Sequence, residues 1–149
     1  MPYNSNPFED QLKFMQAAGQ SAGVYNDAQL ALYVDLIDEE FTEVVTSESL
    51  ENFLKELADL LVVTIGAMYS TGASPQEVWN AVNESNMSKL TDGVLLKRED
   101  GKVLKGPNYK KADLKKLVSR IQGLPEPEVI EAPIEPRLHP EEFLEHVTQ

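Results

Sequence analysis

The stretch DLIDEEFTEVVTSESLENFLKELADLLVVTIGAMYSTG, residues 35–72, decides the fold. Its two halves carry apolar residues at helical spacing, and the short polar segment TSES, residues 46–49, separates them. Because the connection is this short, the second helix is expected to run antiparallel beside the first. The stretch therefore predicts a helical hairpin.

Four acids on this hairpin form two pairs with the same spacing. Glu40 and Glu43 are three positions apart on the first helix, as are Glu56 and Asp59 on the second, so each pair shares one helix face. On antiparallel neighbours the two faces can confront each other. Two unit charges about 4 Å apart repel by roughly 4 kcal/mol at an effective dielectric of 20, so converging carboxylates need a cation or protons. We therefore predict that these four acids bind a divalent cation.

The types of residue in this predicted site indicate which metal it would take. Oxygen ligands with no His or Cys nearby favour Mg²⁺, with Mn²⁺ as a substitute. Glu39 lies next to Glu40, where its carboxylate is placed to orient or deprotonate an attacking water. We predict Glu39 and Glu40 as the catalytic residues.

The competing interpretation is that the acids form a solvated helix face. That is the usual meaning of a lone ExxE in an acidic chain. Against it, the two pairs fall on successive helices, and Asp59 sits within the apolar run from Leu57 to Val63, where a charge needs compensation. We therefore favour the metal site.

Length and composition bound the rest of the chain. Its 149 residues suffice for one domain, and the absence of cysteine excludes disulfides and thiolate sites. The longest apolar run, Leu57 to Met68, contains Asp59 and is too short to span a bilayer, and the N-terminus lacks the features of a secretory signal. A net charge of -12 argues against nucleic-acid binding. We predict a cytoplasmic protein with no membrane or nucleic-acid partner.

Helix-capping patterns predict the remaining elements. A helix follows Asn6 and closes near Gly19, a second follows Asn26, and a fourth follows Ser74. After the fourth helix we predict a small β-hairpin around Asp100 and Gly101, then a short helix ending at Gly123. The expected fold is an all-α helical domain of four-helix-bundle type over residues 1–123. Residues 124–149 are predicted to be an acidic, Pro-rich tail that is mobile or packs on a neighbouring subunit.

The acid motifs resemble a known superfamily. The sequence EEFTE, residues 39–43, followed by ELAD, residues 56–59, is similar to the signature of the MazG-like all-α nucleoside triphosphate pyrophosphohydrolases. This superfamily includes phosphoribosyl-ATP pyrophosphatase and the dimeric dUTPases. The segments VNESNMSKL and REDGKVLKGPNYKKADL resemble an extension in a phosphoribosyl-ATP-pyrophosphatase-like branch, and the resemblance spans roughly residues 14–122. It implies Mg²⁺-dependent cleavage between the α and β phosphates, the four paired acids as ligands, and assembly as a homodimer or tetramer. It also implies an origin in a bacterial cell, or in a phage whose protein acts in the cytoplasm of its host.

A basic segment supplies the candidates for substrate binding. Ten of the thirteen Lys and Arg residues lie between Lys89 and Arg120, and a triphosphate needs positive charge and hydrogen-bond donors beyond those of the metal. We predict that a set of polar, basic and aromatic side chains binds the nucleotide: Asn86, Lys89, Lys105, Tyr109 and Phe14. The lysines have an alternative role as a solvated surface, and Phe14 as a core residue.

The predicted function is hydrolysis of nucleoside or deoxynucleoside triphosphates to monophosphate and pyrophosphate, for control or housecleaning of the nucleotide pool. Within the same fold, a dUTPase-type activity is the nearest alternative. A catalytically inactive helical dimer that uses metal only for stability is the alternative of another class, and an acidic nucleic-acid mimic is a weaker third.

Overall fold

The computed structural model describes residues 5–125, and these form an all-α domain with one small sheet. The expected fold class is confirmed. Its elements, in chain order, are α1 (Pro7–Ala17), α2 (Asp27–Thr46), α3 (Leu50–Ser70), α4 (Pro75–Met87), β1 (Leu90–Thr91), β2 (Val94–Leu95) and α5 (Lys115–Gln122).

The helices α1, α2 and α4 begin after the capping residues predicted for them, and α3 begins after a cap of the same kind. In each case the side chain before the helix accepts a hydrogen bond from a backbone N–H of the first turn, which satisfies a donor that has no partner within the helix. The caps are Asn6, Asn26, Ser49 and Ser74. Because the cap at Ser49 leaves only three residues between α2 and α3, these two helices form the antiparallel hairpin that carries the acids.

The core of the domain lies where α1 covers the α2–α3 hairpin. Met15, Tyr33 and Val63 form its buried cluster, one residue from each helix. The Tyr33 hydroxyl donates a hydrogen bond to Gln20 at 2.6 Å, and the Tyr69 hydroxyl donates one to the backbone oxygen of Phe8 at 3.0 Å. These contacts tie α1 and the loop after it to the hairpin.

Gly66 permits the close approach of α2 to α3. A Cβ atom at this position would lie 2.2 Å from Cε1 of Tyr33, closer than two carbon atoms can approach without a shift. The Tyr33 side chain is buried, and its hydroxyl is fixed by a hydrogen bond, so it has little room to move. The close packing of α2 against α3 therefore requires a glycine at position 66.

Replacing Gly66 by alanine is therefore expected to destabilise the fold. Overpacking typically costs about 1–3 kcal/mol, and a 2.2 Å contact belongs at the upper end. The higher helix propensity of alanine returns only about 1 kcal/mol. Urea denaturation should give a net loss of about 2 kcal/mol. In a double-mutant cycle, Tyr33→Leu should relieve most of the effect, and a stabilised Gly66→Ala variant would contradict this packing.

The β-hairpin follows α4, but its strands lie earlier than predicted. β1 and β2 pair antiparallel around Asp92 and Gly93, with Leu90 opposite Leu95. The Asp100–Gly101 turn closes only a single bridge, between Lys97 and Val103. Both turns have the Asp-Gly sequence that suits tight turns, and the prediction took the second as the centre of the hairpin.

The predicted last helix is present in the structure, whereas most of the predicted tail lies outside the described residues. α5 ends at Gly123, which has the left-handed φ of 66° expected of a glycine cap. Residues 126–149 of the predicted tail lie outside the described part of the chain. Within residues 5–125, no helix has the length and apolar character needed to cross a bilayer.

Candidate active site

Three of the four predicted metal ligands come together between α2 and α3. One carboxylate oxygen from each of Glu40, Glu43 and Glu56 lies within 4.8 Å of the other two. Glu40 and Glu43 are one turn apart on α2, and Glu56 faces them from α3. The tight connection between the helices produces this arrangement, as the sequence indicated.

Glu40 has a buried carboxylate oxygen without a hydrogen-bond partner. Its Oε2 atom is the atom concerned. Desolvation is the main cause that raises the pKa of Glu40, and the negative charges of Asp59, Glu43 and Glu56 raise it further. A buried acceptor with no donor is costly and rare in native proteins. The site therefore favours a positive partner at this oxygen.

Glu43 and Glu56 lie next to each other across the two helices, with one carboxylate oxygen of each within 4.8 Å of the other. The proximity of Glu56 is the largest cause that raises the pKa of Glu43 above its ordinary value. Glu56 is buried, with 9% of its surface exposed, whereas Glu43 is exposed. Hard oxygen donors at this spacing suit a divalent cation, because such an ion would offset their negative charges and satisfy Oε2 of Glu40.

Lys55 also contacts this cluster, although it was not among the site residues predicted from the sequence. Its ammonium nitrogen lies 3.0 Å from Oε2 of Glu56 and 2.8 Å from Oδ2 of Asp59. The two hydrogen bonds, to Asp59 first and Glu56 second, raise the pKa of Lys55 above its ordinary value. The spacing of four residues between Lys55 and Asp59 was the available signal, since residues at i and i+4 meet on one helix face.

Asp59 and Glu39 lie at the edge of the site. Asp59 is close enough to raise the pKa of Glu40 by its charge, but its carboxylate is paired with Lys55 and its side chain is 42% exposed. The compensation expected for a charge in an apolar run is thus supplied by Lys55. Glu39 is exposed, and its charge contributes to the raised pKa of Glu43. Glu39 is therefore near Glu43, one turn away on α2, and is not a member of the trio.

A polar cleft opens beside the acids. It has a volume of about 410 Å³, and Glu43, Glu56 and Asn52 are among its lining residues. Two larger and more apolar cavities, of about 560 and 670 Å³, lie where the loop before α2 and the end of α3 meet α5. Tyr25 and Leu117 line both. The smaller cleft is the one in contact with the candidate chemistry.

The predicted substrate-binding residues make contacts within their own segment. Lys89, two residues beyond the end of α4, donates a hydrogen bond to Oδ1 of Asn86 at 2.9 Å. The Lys105 ammonium lies 4.8 Å from the centre of the Tyr109 ring, in a cation–π contact. Phe14 is 64% exposed on α1, so it is a surface residue and not the core residue of the alternative interpretation.

Comparison with protein families identifies the fold. The model of the phosphoribosyl-ATP pyrophosphohydrolase family matches residues 7–86, which contain α1, α2, α3, all but the last residue of α4, and the four paired acids. The chain belongs to this family. Phosphoribosyl-ATP pyrophosphohydrolases are part of the MazG-like all-α superfamily, so the resemblance seen in the acid motifs is confirmed. No curated relative matches the chain.

Membership of the phosphoribosyl-ATP pyrophosphohydrolase family fixes the general activity. The protein is a pyrophosphohydrolase that acts on phosphoanhydride bonds of nucleotides, and the family depends on a metal. The basic segment after residue 86 lies outside the matched region. The general chemistry therefore follows from the helical part of the chain, and the substrate is a separate question.

Proposed function

We propose that the protein hydrolyses nucleoside triphosphates to nucleoside monophosphate and pyrophosphate, with deoxynucleotides preferred and Mg²⁺ as the metal. The main support for this proposal is the cluster of three carboxylates, from Glu40, Glu43 and Glu56, in which one buried oxygen of Glu40 has no hydrogen-bond partner. Such a cluster is unfavourable when empty and suits a divalent ion. In the cytoplasm this activity would control the nucleotide pool.

The acids of α2 and α3 divide into ligands and a base. Glu40, Glu43, Glu56 and Asp59 would hold the ion, which would supply positive charge to neutralise phosphate oxygens. Glu39, exposed beside the trio, orients the attacking water and accepts its proton. The proton then has a route to solvent, because Glu39 lies on the exposed side of the site.

The basic segment binds the part of the substrate that the metal leaves uncovered. Lys89 is half-buried and held by Asn86, so its ammonium is already oriented. Lys105 and Tyr109 form a second contact point, and Phe14 offers an exposed ring for stacking on a base. Positive charge in this segment complements a triphosphate whose approach to the acids would otherwise be repelled.

Lys89→Ala is expected to lower kcat/KM at least tenfold, about 1.4 kcal/mol of transition-state stabilisation, without affecting the fold. The physical reason is the loss of an oriented ammonium that contacts phosphate. Steady-state pyrophosphate release measures this effect. Lys111→Ala is the matched control, because Lys111 is an exposed lysine of the same segment, and it should leave kcat/KM unchanged. Equal activity of both variants would assign Lys89 to the surface.

A second copy of the chain completes the site in this proposal. Among the described residues the buried hydrophobic core contains six side chains, whereas twenty large apolar side chains are exposed. Several of these lie along α2 and α3, next to the acids: Phe41, Val45, Leu50, Leu54, Leu57 and Leu61. Apolar surface on this scale marks an interface, and a homodimer or tetramer would bury it. Sedimentation equilibrium of a monomer at micromolar concentration would contradict this arrangement.

A panel of substrates tests the proposed function. Pyrophosphate release is measured from the common ribo- and deoxyribonucleoside triphosphates, from dUTP and from phosphoribosyl-ATP, each with Mg²⁺, Mn²⁺ or chelator. Turnover of deoxynucleoside triphosphates with metal supports the proposal. Exclusive turnover of phosphoribosyl-ATP, or of dUTP, would identify that compound as the substrate in place of the deoxynucleoside triphosphates in general. No turnover of any nucleotide would favour the inactive metal-stabilised dimer.

A further inference from the structure

Lys55 occupies the position of a cation within the acidic cluster. Its ammonium nitrogen contacts three carboxylate oxygens: Oε1 of Glu56 at 3.1 Å, Oε2 of Glu56 at 3.0 Å and Oδ2 of Asp59 at 2.8 Å. Both oxygens of Glu56 are therefore engaged by the lysine. A metal ion that binds Glu56 must compete with Lys55 for the same atoms.

The same contact explains why Asp59 stands apart from the other acids. Glu40, Glu43 and Glu56 each present an oxygen within 4.8 Å of the others, whereas Asp59 has its Oδ2 on Lys55. Release of Asp59 from Lys55 would free a fourth carboxylate, one turn along α3 from Glu56. The lysine thus separates one member of the predicted ligand set from the rest.

The Lys55 side chain is able to leave. It is 62% exposed, whereas the Glu56 side chain that it contacts is 12% exposed, so the lysine reaches in from solvent over a buried acid. Exposed ion pairs are weak because water and salt compete for both partners. A lysine also has a flexible stem and no fixed fork geometry, which makes it easier to displace than an arginine.

We propose that Lys55 is a displaceable internal cation, which holds Glu56 and Asp59 in the metal-free protein and withdraws when a divalent ion binds. The inference rests on the proposed function, because it takes the acids to be metal ligands. Lys55 is a positioning residue in this scheme. It limits the charge repulsion of the empty site, and its displacement lowers the affinity for metal, so that only a divalent ion at sufficient concentration assembles the full ligand set.

The test is calorimetric titration of Mn²⁺ into the full-length protein without nucleotide, for wild type and three variants. Lys55→Met removes the charge and keeps an apolar stem, Lys55→Arg keeps the charge, and Lys13→Met removes an exposed lysine on α1 as a control. Lys55→Met is expected to bind Mn²⁺ tighter by a factor on the order of three, the size of a weak exposed ion pair. Lys55→Arg should bind no tighter than wild type, and Lys13→Met should match wild type.

Two outcomes separate the inference from the proposed function. If wild type binds Mn²⁺ and Lys55→Met binds it with equal or lower affinity, Lys55 does not compete with the metal, and the inference alone is overturned. If wild type binds no Mn²⁺, the metal site and the role of Lys55 fail together. Lys55→Gln provides a second neutral variant should Lys55→Met fail to fold, and the same tightening is expected for it.

Discussion

Replacing Glu56 by glutamine is expected to lower kcat/KM for pyrophosphate release at least a thousandfold, roughly 4 kcal/mol of transition-state stabilisation. Glu56 is the buried acid of the trio, within 4.8 Å of Glu40 and Glu43, and it lines the polar cleft. Glutamine keeps the size of the side chain and removes its charge. The site would then lose a central ligand without a packing defect.

The matched control for this variant is Glu51→Gln. Glu51 is an exposed acid in the first turn of the same helix, and it is not part of the trio. Its replacement should leave kcat/KM within a factor of two, by the usual small effect of surface substitutions. If Glu56→Gln keeps activity within tenfold of wild type, the carboxylate trio is not the reaction centre.

Mg²⁺ is expected to raise the stability of the wild-type protein, and Glu40→Gln should abolish most of that effect. A single site that binds only the folded state adds about 2.7 kcal/mol at a free concentration one hundred times Kd, which appears as a rise of several degrees in Tm. Glu40 is the decisive residue because its buried Oε2 has no hydrogen-bond partner among the described residues. Neutralising it relieves repulsion from the other acids and removes a ligand.

Melting curves in chelator and in excess Mg²⁺ measure this prediction. In chelator, Glu40→Gln should melt at the wild-type temperature or above it, since the charged form of Glu40 is disfavoured there by desolvation and by neighbouring charges. Asp38→Asn, an exposed change on the same helix, should keep the full Mg²⁺ shift. A Glu40→Gln variant that melts well below wild type in chelator and still gains the full shift would make Glu40 a structural residue.

The helices and the convergence of the acids were predictable from the sequence because both depend on local rules. Cap residues at Asn6, Asn26, Ser49 and Ser74 fix where the helices begin, and the short turn after α2 fixes the direction of α3. Once two helices are antiparallel neighbours, residues three apart on each must share a face. These rules account for the convergence of Glu40, Glu43 and Glu56, but not for the pairing of Asp59 with Lys55.

The state of each carboxylate could not be predicted in the same way. Burial of one oxygen of Glu40 depends on how α2 and α3 pack, and no sequence spacing encodes it. Lys55 had the right spacing to reach Asp59, but the spacing does not distinguish an isolated surface ion pair from one within a cluster of acids. The position of the β-hairpin failed for a related reason, since Asp92–Gly93 and Asp100–Gly101 carry the same turn signal and only their flanking contacts differ.

The most direct measurement of the central claim is ³¹P NMR of deoxynucleoside triphosphate turnover by wild type and by Glu56→Gln, with Mg²⁺ in both samples. The account predicts signals of monophosphate and pyrophosphate that grow together in the wild-type sample, and an unchanged triphosphate in the variant over the same time. Diphosphate and inorganic phosphate as the first wild-type products, or equal rates in the two samples, would contradict the assignment of the reaction to the acids of α2 and α3.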